Sequence, residues 1–341
     1  MKGKPTSFDI AYRAGVSQST VSRALRGSPL VSPETRRRIQ AIAKEINYKV
    51  DKNASNLRRQ HSVTLALLLF EDPTTDDSLI NPFFLSMLGS ITRACAHHGY
   101  DLLVSFQQLS DDWHADYQDS HKADGLILLG YGDYLEAKPK LQKLVEQGTK
   151  FVRWGAVVPG QSELSVGCDN AQGGRAITEH LLALGRRKIA FIGNVTEQSP
   201  EFADRYRGHL QALKAAKIQP DRKLQIEALD STEQVGYEAA QRLLNSGRPF
   251  DAVFAASDLL AIGTLRAMAE AGIKVPDDVS VVGFDNIPIA NYSIPPLTTV
   301  SQDTTRAGEV LVESVLRLIR AQPIDSLVLP SRVVVRKSCG A

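Results

Sequence analysis

The chain has 341 residues, 43% of them hydrophobic, enough to bury a substantial core and to fold as more than one unit. Its formal net charge is only +2, yet Met1 to Gln60 carry thirteen Lys/Arg against four Asp/Glu, about +9, which leaves about −7 for the remainder. No stretch approaches the roughly 20 apolar residues of a membrane span, and Cys95, Cys168 and Cys339 are too scattered for a disulfide framework or a zinc site.

These bounds predict a small basic head that binds nucleic acid on a mildly acidic body. Met1 to Thr6 carry no apolar signal region, so a cytoplasmic protein with ordinary thiols is expected. In the head, Ile10, Ala11 and Ala14 recur at helical spacing, Gly15 permits a tight turn, and Val16, Val21, Ala24 and Leu25 give a second helix its apolar face. Ser17 is placed to cap that helix. Its outer face presents Gln18, Ser19, Thr20, Ser22 and Arg23, short or forked donors suited to base edges and phosphates in a major groove. A third helix is predicted from Ser32-Pro33-Glu34, which supply a cap, a proline at the first helical position and an acid in the first turn. Ile39, Ile42, Ala43 and Ile46 form its buried stripe, with Arg36, Arg37 and Arg38 exposed. Taken part by part, these patterns equally suit a generic three-helix bundle with a solvated arginine run.

The combination is more specific. Ala14-Gly15-Val16-Ser17, Thr20-Val21-Ser22-Arg23-Ala24-Leu25-Arg26-Gly27 and Val31-Ser32-Pro33-Glu34-Thr35-Arg36 resemble the headpiece of the lac/gal repressor family. Asn53-Ala54-Ser55-Asn56-Leu57-Arg58 resembles that family's hinge helix, which folds when the dimer meets its operator. The resemblance implies DNA contacts from Thr6, Ser17, Gln18, Ser19, Thr20, Ser22, Arg23, Arg26 and Thr35, and from Asn53, Ala54, Leu57 and Arg58 in the hinge. The residues suit the role, since an isolated helix below about 12 residues is marginal in water and orders only with a partner. An apolar Leu57 between Asn56 and Arg58 suits a wedge into a flexible base step. A plain linker whose leucine packs on the body is the alternative.

From Val63 onward apolar runs of strand length alternate with helical patterns: Val63 to Phe70, a helix from Phe83 to His98, Leu102 to Phe106, and Gly125 to Leu129. A second series places strands at Lys188 to Ile192, Leu224 to Glu227, Ala252 to Ala255 and Val279 to Phe284. Its helices lie near Arg205 to Ala216, Tyr237 to Leu244 and Leu259 to Ala271. This alternation predicts an α/β fold of parallel βαβ units in two similar halves with a cleft between them. Ligands of open parallel sheets bind beyond the carboxyl ends of the strands, so the residues after each run are the candidates. They are Phe70-Glu71-Asp72, Tyr131 and Tyr134, Trp154, Ser257-Asp258 and Asp285-Asn286. Aromatic faces, carboxylates and a guanidinium such as Arg205 suit a polyhydroxylated ligand. Tyr131 and Trp154 equally suit a wall or core, and Ser257-Asp258 a helix cap.

Asp251 to Asp258, Val275 to Asn286 and Pro295 to Val300 are similar to effector-domain motifs of the same family, as are Asn81-Pro82-Phe83-Phe84 and Arg205-Tyr206-Arg207-Gly208. The resemblance implies a helix-turn-helix headpiece over 1–50, a hinge over 51–61 and a two-lobed, periplasmic-binding-protein-like effector and dimerisation domain over 62–341. Three crossings, acting as a hinge, would separate a first lobe of about 62–160 and 296–323 from a second of about 161–295 and 324–341. Carried across, Arg205, Ser257 and Asp285 bond the effector with Phe83 and Phe84 near its rim, and Phe70, Asp72, Tyr131 and Trp154 complete the candidate set. The chain has no leucine heptad tail, so a dimer is expected.

The expected function is that of a sequence-specific DNA-binding transcriptional repressor whose dimer reads a palindromic operator and whose cleft senses a small carbohydrate. A purine or nucleoside effector is the alternative, since Phe83, Phe84 and Arg205 also suit a base. A periplasmic-type sugar receptor shares the body fold but gives no reason for a head of about +9. An enzyme finds no support in a G-x-x-x-x-G-K-[ST], H-E-x-x-H or G-x-S-x-G motif. His97 and His98, adjacent on one helix, are expected to diverge rather than chelate. No cofactor and no metal is expected.

Overall fold

The computed structural model describes residues 5–25, 27–48, 61–71, 80–130, 132–158 and 160–341, and the chain divides into two units between Ser62 and Val63. In the smaller unit, α1 (Ser7–Ala14), α2 (Gln18–Leu25) and α3 (Pro33–Glu45) close around Ile10, Val21, Ala24 and Ile39. Each helix begins on a hydroxyl. Thr6 forms a capping box with Asp9, Ser17 Oγ accepts from Thr20 N at 3.2 Å, and Ser32 Oγ accepts from Thr35 N at 3.2 Å. Such caps contribute about 1 kcal/mol each. Gly15 ends α1 at φ 59, a left-handed turn that a residue without Cβ makes at no steric cost. Two expectations change. Ile42 and Ile46 are only half-buried, because the small Ala43 and Ile39 fill the core. Arg36 is not on the exposed arginine face: its Nη2 donates to Ser28 O at 2.7 Å, giving the α2–α3 loop the donor its carbonyl needs.

The larger unit carries two parallel sheets. The first contains β1 (Thr64–Leu69), β2 (Asp101–Phe106), β3 (Gly125–Leu129), β4 (Phe151–Trp154), β5 (Ser165–Cys168) and β11 (Leu327–Leu329), in the order β11-β5-β4-β3-β1-β2. Side chains alternate across it as the strand period requires. Leu65, Leu67 and Leu69 join Phe83, Met87 and Ile91 of α4 (Pro82–His97), while Ala66 and Leu68 join Leu141 and Leu144 of α5 (Tyr134–Glu146) on the other face. Each fully buried leucine of this kind stabilises by about 1.5–3 kcal/mol.

The second sheet has the order β7-β6-β8-β9, from β6 (Ile189–Ile192), β7 (Gln225–Ile226), β8 (Ala252–Ala255) and β9 (Ser280–Val282). Around it lie α6 (Asn170–Ala183), α7 (Pro200–Ala215), α8 (Glu233–Asn245) and α9 (Asp258–Glu270). The approach of α6 to α7 depends on glycine. A Cβ on Gly174 would strike the Arg205 backbone, and one on Gly208 that of Ala171. That contact fixes where Arg205 stands.

The halves exchange chain at three places. After β5 the chain enters the second half at α6. β10 (Thr299–Gln302) continues the second sheet through bridges Val282–Thr298 and Asp285–Ser301, and α10 (Thr304–Ile319) then packs on the first. β11 pairs with β5 in the first sheet, and β12 (Ser331–Val334) pairs antiparallel with β10. The crossings therefore follow Cys168, Gln302 and Leu329, several residues beyond the expected 160, 295 and 323. Two of the shifts come from short strands of the first sheet, β5 paired with β4 and β11 paired with β5, with Leu327 opposite Val166, and the third from β10, which stays with the second half through Gln302. His97 and His98 also depart from expectation. Their rings meet edge to face with centroids 5.6 Å apart, because His98 is the cap residue and no longer follows the helical rotation. Among the described residues no helix is long and apolar enough to cross a membrane.

Candidate functional site

In the head, Ser19 and Arg23 are exposed four residues apart on α2, hence on one ridge of the helix. Gln18 is half-buried, and its Nε2 donates to Ser7 Oγ at 2.9 Å, so the start of α1 steers it. Ser17 Oγ lies 2.8 Å from Ser19 Oγ and 2.9 Å from Thr20 Oγ1. These hydroxyls surround the N-terminus of α2, where free N–H groups and the helix dipole favour a phosphate. Ser22 is half-buried on the flank of the ridge. Thr6 and Thr35 are engaged at caps: Thr6 Oγ1 donates to Asp9 Oδ2 at 2.7 Å, and Thr35 Oγ1 accepts from Ser32 Oγ at 2.9 Å. Arg26, Asn53, Ala54, Leu57 and Arg58 lie outside the described residues. Tyr12, 91% exposed on α1, is absent from the predicted set although it falls off the Ile10–Ala14 stripe.

In the larger unit, α7 carries Arg205, a fully buried guanidinium. Its Nε donates to Asn170 Oδ1 at 2.9 Å, its Nη1 donates to Ala256 O, and its Nη2 stands 3.2 Å from Asp285 Oδ1. The cation also lies over the rings of Phe284, at 3.9 Å, and Phe202, at 4.9 Å. Asp285 follows β9 with φ 111, a backbone region that residues other than glycine rarely enter. It is held there by its N–H, which donates to Val300 O at 2.8 Å, and by Gln302 Nε2, which donates to Oδ1 at 2.7 Å. Behind it, the fully buried Asp258 accepts from Thr299 Oγ1 and from Ile287 N. Burial, and then the charge of Asp285, push the Asp258 carboxyl well above the usual carboxylate range. A cavity of about 490 Å³ lies beside Asp285, with Phe83, Ser301 and Gln302 among its walls.

The remaining candidates separate. Phe83 reaches this cavity, and its ring lies 6.1 Å from that of Trp154. Phe84 stacks edge to face on Phe83 at 5.2 Å and is buried in the core rather than at a solvent-facing rim. Trp154 is buried at the end of β4. Ser257 is the N-cap of α9: its Oγ accepts from Leu260 N at 3.3 Å and from Ser231 Oγ at 2.7 Å. Phe70 lies at the end of β1 against Gly130 and Gly132, whose lack of Cβ makes room for it. Asp72 and Tyr131 lie outside the described residues.

Phe70 also lines a second cavity, of about 350 Å³, that reaches Asp133 in the first half and Asn194, Phe202 and Asp230 in the second. Around it the halves are bonded to each other. Gln198 Nε2 donates to Asp133 Oδ2 at 2.7 Å, Tyr134 N donates to Gln198 O at 3.0 Å, and Ala156 N donates to Glu201 Oε1 at 2.7 Å. Asn170, Phe202 and Gln302 contact Arg205 or Asp285, and Asn194 lines the second cavity; all four are absent from the sequence-predicted candidates. The available signal for Asn170 and Asn194 was position, since each closely follows a strand. Among the described residues no group of three or more His, Cys, Asp or Glu is arranged to hold a metal ion.

The family description "Bacterial regulatory proteins, lacI family" matches residues 8–51, and "Periplasmic binding protein-like domain" matches residues 178–339. The chain is 31% identical over 341 residues to the HTH-type transcriptional regulator CelR of Thermobifida fusca, covering 98% of each. Among solved structures, it is similar to the transcriptional regulator CelR–cellobiose complex, with TM-score 0.72, 31% identity, and 98% and 99% of the two chains covered. It is also similar to the lac repressor dimer bound to operator and the anti-inducer ONPF, with TM-score 0.85, 27% identity, and 99% and 100% covered.

Proposed function

The chain belongs to the lacI family of bacterial regulatory proteins and is a DNA-binding transcriptional regulator, and from that premise we propose that it acts in the cytoplasm as a dimeric, carbohydrate-responsive repressor. In the head, Gln18, Ser19 and Arg23 read base edges in the major groove, and the hydroxyls of Ser17 and Thr20 seat α2 on a phosphate. Two heads of one dimer then match the half-sites of a palindrome. The hinge residues Asn53, Ala54, Leu57 and Arg58 complete the contact in the minor groove.

The observation that carries the effector reading is the buried Arg205–Asp285 pair. It stands beyond the carboxyl ends of β8 and β9, beside aromatic rings, where a doubly wound fold places its ligand. Charged groups already neutralised by each other offer directed hydrogen bonds to sugar hydroxyls without demanding a charged ligand. The same engagement supports binding without turnover, since Asp258 and Asp285 are already bonded to neighbours rather than poised as a base. A ligand that favours one angle between the halves biases folding of the hinges on the operator, and a coupling of about 1–3 kcal/mol changes operator affinity roughly 5- to 150-fold.

The test is thermal unfolding of the purified protein against mono- and disaccharides, nucleobases and nucleosides. A ligand at 100 times its Kd adds about 2.7 kcal/mol. A saccharide should raise the melting temperature of the wild type but not of Asp285→Ala. Stabilisation by nucleosides alone would replace the carbohydrate reading with a purine one.

A further inference from the structure

The Arg205–Asp285 pair marks one end of the cleft. The other end is the second cavity, lined by Phe70, Asp133 and Glu136 from the first half and by Asn194, Phe202 and Asp230 from the second. α7 runs between the two ends. Arg205 sits at the inner one, and Ser199, at the N-terminus of α7, lines the outer one. Six residues at 1.5 Å each separate them by about 9 Å, longer than a single pyranose ring. Phe202 stands between, under the Arg205 guanidinium at 4.9 Å and in the wall of the outer cavity. The two ends are thus consecutive positions along one helix.

Three features of the outer cavity suit a sugar. Phe70 and Phe202 offer apolar faces for C–H surface. Asn194 is only 3% exposed, and its Oδ1 is taken by Thr196 N at 3.0 Å and Thr196 Oγ1 at 2.7 Å. Its Nδ2, which meets no protein acceptor among the described residues, is left as a donor for the cavity. Asp133, Glu136 and Asp230 accept hydrogen bonds from hydroxyls. No lysine or arginine is in the lining among the described residues, so a phosphate or carboxylate there would meet like charge without a counterion.

Resting on the carbohydrate reading above, we infer that the effector is a neutral oligosaccharide of at least two units, one at Arg205–Asp285 and the next in this outer cavity. Gln198 and Asp133 already bond across the rim at 2.7 Å, so a ring seated there touches both halves. The outer unit consequently adds affinity specifically to the closed arrangement, which a monosaccharide at the inner end does not.

The experiment is calorimetric titration of the full-length protein with glucose, galactose, cellobiose, maltose, lactose, glucose 6-phosphate and adenosine, repeated on Asn194→Ala and Asp230→Ala. One disaccharide should bind about 30-fold more tightly than its component hexoses, the equivalent of two or so well-made hydrogen bonds with ring contact. Both variants should lose most of that advantage while leaving hexose affinity unchanged. Asp230 is exposed, so its variant keeps the fold even if Asn194→Ala melts early. A hexose binding within threefold of its disaccharide, or a disaccharide advantage indifferent to both variants, overturns the outer site and leaves the carbohydrate reading standing. Preference for glucose 6-phosphate also overturns it. Binding of adenosine alone, or of nothing in the set, overturns the carbohydrate reading and this inference together.

Discussion

Asp285→Ala removes one partner of a buried ion pair in which the two side chains are 1% and 4% exposed. Arg205 keeps its bonds to Asn170 and Ala256 and its contact with Phe284, but loses the Asp285 carboxylate 3.2 Å from its Nη2. Breaking a buried pair on one side costs about 3–5 kcal/mol, and the retained bonds place this case near about 3. For a unit of this size each kcal/mol moves the midpoint by about 2–4 °C, so the melting temperature should fall by about 6–12 °C. Asp285→Asn keeps an acceptor for Gln302 Nε2 and tolerates positive φ better than alanine, so it should fall less. Thermal unfolding followed by circular dichroism reads all three proteins. Operator binding at low temperature should survive in both variants, because the head has its own core. An alanine variant that melts within 1 °C of wild type, or an asparagine variant that melts lower than alanine, would refute the argument that Arg205 depends on this charge.

His209 is held neutral by burial, its imidazole pushed down to about 3 from the ordinary 6.5. Below pH 6.5 the unfolded chain takes up the proton and the folded chain does not, so this residue lowers stability progressively down to about pH 3. At pH 5 the loss is about 2 kcal/mol, and denaturant titrations of His209→Phe should lack that part of the acid slope. Equal slopes would show that His209 is protonated in the fold. Arg23→Ala should abolish preference for a selected operator over random DNA, measured by anisotropy, with ligand affinity unchanged; retained preference would remove Arg23 from the reading ridge. Leu57→Ala should weaken operator binding and reduce DNA bending, and an unchanged bend in a permuted-fragment gel would count against a wedge.

Much of this architecture is written locally. The Ser32-Pro33-Glu34 start of α3 and the Ile10–Ala14 stripe depend on neighbours within a turn or two, and the structure has both. Strand runs such as Gly125 to Leu129 are equally plain because both faces of a parallel strand are buried. What was not legible depends on partners far along the chain. Arg36 looks like its two arginine neighbours until Ser28 O is placed beside it. Ser165–Cys168 and Leu327–Leu329 are short strands that join the first sheet by pairing with β4 and with Ser165–Cys168 respectively, so two of the crossings fall later than their own sequence suggests. Ser257 admitted two readings, and its bond to Leu260 N shows it capping α9. Asp258 takes its environment from Ile287 and Thr299, which no periodicity links to it.

The central claim is that a ligand in the cleft controls the head's grip on DNA. Its most direct test is the operator affinity of the full-length protein, measured by anisotropy on a selected palindrome with and without a saturating saccharide found by titration. A coupled regulator should show a change of roughly 5- to 150-fold in operator Kd, in either direction, abolished in Asp285→Ala. An unchanged operator Kd with the saccharide demonstrably bound would contradict the account, because a ligand with equal affinity for both states shifts neither.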